Sequence, residues 1–173
     1  MKTFKWTGIF IVITLLLVAG FKSSFNAFGQ SNPQVFRATF EVSQAVPAPA
    51  TAPDNAFGEG VFFFNPEDKT LVFQVALTGL TSSIRALQFH NAAAGEAGDP
   101  LQTICGEGPA GVIGTPLVDG PCKSGTSHVM QQRWELTDHH IQELFAGRLY
   151  VNVHTETNFA PGEIRAQIVA AGS

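Results

Sequence analysis

Leu149-Tyr-Val-Asn-Val-His154-Thr-Glu-Thr-Asn-Phe-Ala-Pro161-Gly162-Glu163-Ile-Arg165-Ala-Gln-Ile-Val169 is the stretch that decides the fold. Leu149, Val151 and Val153 alternate with Tyr150, Asn152 and His154, and Ile164, Ala166 and Ile168 alternate with Arg165 and Gln167. Period-two alternation is the pattern of a strand with one apolar face. Between the runs lies a polar segment with Pro161-Gly162, residue types that preset the backbone for a turn. The stretch predicts a closing hairpin, aliphatic on one face, with Asn152, His154, Glu163 and Arg165 on the other.

Just upstream, Thr137 to Gly147 predicts one short helix before this hairpin. Thr137 is its N-cap, Asp138 sits in the first turn, Ile141, Leu144 and Phe145 are its apolar positions, and Gly147 ends it. Thr126 to Leu136 predicts a strand, as do Val35 to Val42, Gly58 to Phe64, Thr70 to Leu77 and Ile84 to His90. Asn65 to Lys69 supplies a hairpin turn, and Pro47 to Pro53 is too rich in proline to pair in a sheet. Leu71, Phe73, Val75 and Leu77 share one face, whereas Phe62, Phe63 and Phe64 in succession predict a strand covered on both sides. From Asp99 to Gly125 the hydrophobic pattern disappears, so this reads as a long connection with room for a short strand near Val112. The fold expected is all-β, with one short helix before the last hairpin.

At the N-terminus, Lys2 and Lys5, the apolar run Ile9 to Ala19 and the small-x-small site Ala27-Phe28-Gly29 follow the pattern of a secretory signal. Cleavage is expected near Gln30, leaving residues 30–173 as a single domain in a secreted, periplasmic or extracellular location. The apolar run stops at Gly20 and Lys22, short of the roughly 20 residues that span a bilayer, so no membrane span is expected after cleavage. Removing 1–29 lowers Lys plus Arg from 10 to 7 against 14 acids, a formal charge of −7. That charge disfavours nucleic acid as a partner. A protein or polysaccharide ligand fits it better.

Cys105 and Cys122 fall in one loop-like segment of a chain expected to be exported, which predicts a disulfide. A metal-binding thiolate pair is the alternative, although the spacing matches no Cys-x-x-Cys chelate. No nucleophile elbow, His-Glu-x-x-His helix or phosphate cradle is present, so catalysis is not expected.

"LTDHHIQELFAGRLYVNVHT" and "PGEIRAQI", taken with the strand order before them, resemble the chordin-type domain (CHRD), an extracellular β-sandwich-like module of chordin and of bacterial secreted proteins. The resemblance covers nearly all of the chain beyond the signal. It implies an antiparallel, Greek-key-like sandwich of immunoglobulin-like or superoxide-dismutase-like plan, acting as a binding or structural module. Many members carry His-Ile-His where this chain has Gln88-Phe89-His90, and many have Gly where it has Ala166. A looser resemblance to copper/zinc superoxide dismutase would align His90 and His154 with copper ligands and Arg165 with an anion-guiding arginine. Its bridging histidine and zinc ligands find no counterparts between Asp99 and Gly125.

The candidate polar site is therefore His90, Asn152, His154, Glu163 and Arg165, able to take a metal ion or an anionic group. His90, His154 and His128 are the candidate ligands for copper or zinc, although no cofactor is required. The opposing reading is a hydrogen-bonded network that fixes the last hairpin, with Arg165 paired to a carboxylate and His154 satisfied by backbone. His139 and His140, adjacent in the first helical turn, point apart and are not expected to chelate together.

Overall fold

The computed structural model describes residues 33–51, 54–107, 116–118 and 120–172. The expected signal segment and the strand expected near Val112 lie outside the described residues. Among the described residues, nine strands and one α-helix follow in order: β1 Gln34–Glu41, β2 Phe57–Asn65, β3 Thr70–Thr78, β4 Ile84–Asn91, β5 Pro100–Gly106, β6 His128–Glu135, α1 Asp138–Phe145, β7 Leu149–Thr155, β8 Ile164–Gln167 and β9 Val169–Ala170. All the pairings are antiparallel, in the order β5-β4-β7-β8-β1-β2-β3-β6, with β9 also on β1. The sheet nearly closes: Cys105 of β5 and Met130 and Gln132 of β6, its two end strands, line a common cavity of about 170 Å³. The all-β antiparallel class and the short helix before the last hairpin are those expected from the sequence.

Alternation builds the core. Phe36, Ala38 and Phe40 of β1, Leu71 to Leu77 at alternate positions of β3, Leu87 and Phe89 of β4, and Leu149, Val151 and Val153 of β7 all point inward and are buried. Phe89 sits at the centre, 5.2 Å between ring centroids from Phe73 and 4.6 Å from Trp134. Phe62 and Phe64 join this core, but Phe63, paired with Val72 on the outer face, is 46% exposed. The expectation that β2 is covered on both sides is thus corrected. The two-residue period of the strand outweighs the apolar run.

The Asp99-to-Gly125 reading is also corrected, since β5 lies within it as a regular strand along β4. Its pairing carries two register shifts, between Leu87 and Gln88 and between Phe89 and His90. Such shifts break the alternation that reveals a strand in sequence. The Cys105–Cys122 disulfide is formed, with Cα atoms 5.1 Å apart, which removes the thiolate-pair reading.

Thr137 caps α1 as expected. Its hydroxyl accepts from the His140 amide at 3.2 Å, and the His140 ring Nδ1 accepts from the Thr137 amide at 3.3 Å. A histidine completes the reciprocal cap that Glu or Gln usually supplies. Where β8 meets β1, the ladder is reduced to the single pair Glu41↔Arg165, and the Gln167 amide donates to the Gln44 side-chain oxygen at 3.0 Å.

Candidate functional site

β4, β7 and β8 run side by side and set the site by register. One row is Gln88, Asn152 and Arg165, the next is His90, Tyr150 and Gln167, and His154 lies across from Ala86. The inward positions of β7 are aliphatic, so Tyr150, Asn152 and His154 project from the opposite face. That face is not wet: all seven residues of β7 are buried. Backbone carbonyls of residues 93–98 and 159–161 close over it, held by the side chains beneath.

Each histidine is locked into one neutral tautomer. Nδ1 of His90 lies 3.0 Å from the Gly98 carbonyl and Nδ1 of His154 lies 2.6 Å from the Phe159 carbonyl. A carbonyl only accepts, so both Nδ1 atoms carry the proton and both Nε2 atoms present a lone pair. Burial pushes His90 down to about 4, with the backbone hydrogen bond opposing and the nearby His154 and Arg165 reinforcing the drop. Burial also lowers His154. Asn152 Nδ2 donates to His154 Nε2 at 3.2 Å and to the Pro161 carbonyl at 3.3 Å. His90 Nε2 and Asn152 Oδ1 are left buried without a partner. The two imidazole centroids are 5.9 Å apart, and His90 stacks on Tyr150 at 5.0 Å.

Arg165 is 2% exposed. Its guanidinium donates to the Glu96 and Ala93 carbonyls and to Gln167 Oε1, and it lies 3.5 Å above the Tyr150 ring. The Tyr150 hydroxyl accepts from the Gly98 amide at 3.0 Å and donates to its carbonyl at 3.2 Å. The expected carboxylate partner of Arg165 is therefore corrected to main-chain carbonyls. Burial lowers the guanidinium's affinity for its proton, and cation–π contact with Tyr150 offsets part of that cost.

Glu163 serves a different loop. Fully buried, it accepts from the Thr81 amide at 2.7 Å, the Thr155 hydroxyl at 2.7 Å, Asn158 Nδ2 at 3.0 Å and the Thr81 hydroxyl. The preceding Gly162 has φ +81°, and a Cβ there would collide with the Asn152 amide. Only glycine combines that backbone angle with that close approach.

The structure brings together His90, Asn152, His154 and Arg165, sets Glu163 beside them on another loop, and does not bring His128 to them. His128 pairs with Leu77 on the inward face of β6, with Nε2 2.7 Å from the Gly125 carbonyl. His90 and His154 project outward from β4 and β7. Sequence reasoning left Tyr150 and Gln167 out of the candidate set; pairing β7 with β8 at Asn152↔Arg165 is the signal that would have included them. Chemically, the site offers neutral nitrogen and oxygen acceptors beside one guanidinium. Among the described residues, no three His, Cys, Asp or Glu side chains gather to hold a metal.

No curated protein and no solved structure matches the chain. The family profile described as CHRD domain matches residues 36–168, which contain the whole site and its two loops. The chain belongs to the CHRD domain family.

Proposed function

We propose that this CHRD domain protein is exported, with cleavage near Gln30, and works outside the cytoplasm as a single-domain, disulfide-stapled binding or structural module without catalysis. The observation that carries this reading is that the polar row on β4, β7 and β8 is committed to holding loops. Arg165 clamps 93–98, Glu163 clamps Thr81 and Asn158, and His154 anchors Phe159. The disulfide suits an oxidising compartment. No helix among the described residues is long and apolar enough to cross a membrane. An acidic chain stapled in this way suits a protein or polysaccharide ligand better than nucleic acid.

The test has two arms. The secreted protein is sequenced from its N-terminus, and its fluorescent conjugate is titrated onto intact producing cells and onto their extracellular polysaccharide. A start near residue 30 with saturable binding that unlabelled protein displaces is expected. Retention of residues 1–29, or no saturable binding to either material, would overturn the reading. The dismutase-like alternative needs a multi-imidazole redox centre, and among the described strand residues His90 and His154 come together without a third histidine. Catalytic removal of superoxide by copper-loaded protein would restore that alternative.

A further inference from the structure

We propose that His90 and His154 form a two-coordinate site for a monovalent d¹⁰ cation, cuprous ion by chemistry, rather than a zinc or cupric centre. The proposal goes beyond the binding-module reading and does not depend on it. Both imidazoles donate Nδ1–H to backbone carbonyls, at 3.0 and 2.6 Å. That outer hydrogen bond is the one a metal-ligating histidine makes, since it fixes the ring and leaves Nε2 as the donor to the metal. His90 is 93% buried by its 7% relative exposure, and its Nε2 has no partner. A buried lone pair without a donor costs free energy unless something fills the position.

Three observations select the ion. First, bonds of about 2 Å from one ion to two imidazole nitrogens put the ring centroids roughly 6.3 Å apart when the N–metal–N angle is straight, and about 5 Å when it is tetrahedral. The observed 5.9 Å lies between these, nearer the straight arrangement. Second, no third His, Cys, Asp or Glu joins the pair among the described residues, whereas zinc takes four ligands. Third, the Arg165 guanidinium is close enough to lower the His90 pKa, so a single positive charge is opposed less than a double one. Asn152 Nδ2 must release His154 Nε2 as the ion enters; its Oδ1, buried and unpartnered, can then turn toward the cation.

The experiment uses the secreted protein with its disulfide intact. Cuprous ion, supplied anaerobically as its acetonitrile complex, is competed against bicinchoninate. Stoichiometric 1:1 binding is expected. His90→Gln and His154→Gln should each weaken it by more than the roughly 100-fold typical of losing an outer-shell partner, and His128→Gln should leave it unchanged. Because each substitution also removes a hydrogen bond that holds a loop, a second measurement uses the unaltered chain. Silver ion, an air-stable d¹⁰ probe, is titrated while ¹⁵N resonances of the histidine rings are followed. Movement of Nε2 at both His90 and His154, with both Nδ1–H signals retained, is expected. Unmoved Nε2 resonances, loss of cuprous binding in His128→Gln, or zinc binding tighter than cuprous ion would each overturn the assignment.

Discussion

Glu163→Gln keeps the shape of the side chain and removes its charge, so it isolates what the buried carboxylate contributes. The native group faces donors only: the Thr81 amide on Oε1, and the hydroxyls of Thr81 and Thr155 with Asn158 Nδ2 on Oε2. A glutamine amide has two orientations here. One sets its NH₂ against the Thr81 N–H and the other sets it against Asn158 Nδ2, so either leaves a buried donor opposed. An orphaned buried donor costs about 1–3 kcal/mol. The surviving bonds also lose charge assistance, which roughly halves their strength and adds about 1–2 kcal/mol. The expected loss is about 3 kcal/mol, read as a lower urea midpoint at pH 7 with an unchanged slope. Combined with Asn158→Ala, the two costs should fall short of their sum, because one substitution already removes the bond the other would break. A loss below about 1 kcal/mol, or strict additivity, would refute the clamp.

Acid should weaken the fold through His90. Its folded value of about 4 lies below the ordinary imidazole value of 6.5, so the unfolded chain binds more protons between them. The stability contribution is complete above about 6.5 and is lost as pH falls toward 4, amounting to about 3 kcal/mol. His154, also lowered by burial, acts in the same direction. Urea midpoints of metal-free protein should fall over that window more steeply than those of His90→Gln, and equal slopes would contradict the assignment. Phe89→Ala removes a fully buried ring and should cost about 3–5 kcal/mol; the same change at exposed Phe63 should stay within about 1 kcal/mol, and thermal melts will rank the two. Gly162→Ala should destabilise by at least about 1 kcal/mol from backbone strain alone and should shift the Asn152 amide signals in NMR, since the methyl displaces that side chain.

Much of the fold was legible because strands with a single apolar face advertise themselves. Leu149, Val151 and Val153 mark β7, and Ile164, Ala166 and Ile168 mark the return, all at the expected burial. The Thr137 cap is equally local and was found the same way. β5 was missed because Ile104 and Cys105 are buried in succession beside a register shift, which removes the two-residue period. In the site, alternation placed Tyr150, Asn152 and His154 on one face correctly. It carried no information on the loops that cover that face, because their closure depends on carbonyls, and carbonyls look alike in every sequence. For the same reason the partner of Arg165 was sought among carboxylates. His128 shows the remaining gap: a strand pattern gives alternation, but which face is inward depends on the neighbour, here Leu77.

The single pair Glu41↔Arg165 that joins β8 to β1 has a consequence for motion. A sheet is cooperative only across ladders that must break together, and this junction, even with the pairs Phe36↔Ala170 and Arg37↔Val169 that β9 adds, is short beside the β1-β2 and β2-β3 ladders. Opening there, with the β9-β1 pairs broken as well, would part the β5-β4-β7-β8-β9 block from the β1-β2-β3-β6 block at the cost of fewer hydrogen bonds than any break inside the second block, with core side chains resisting. Amide exchange should therefore resolve two blocks of distinct protection, with Gln167, tethered by the Gln44 side chain, exchanging ahead of Val151 and Phe73 in their interiors. One continuous sheet would then behave as two plates that share a core and slide apart along one edge.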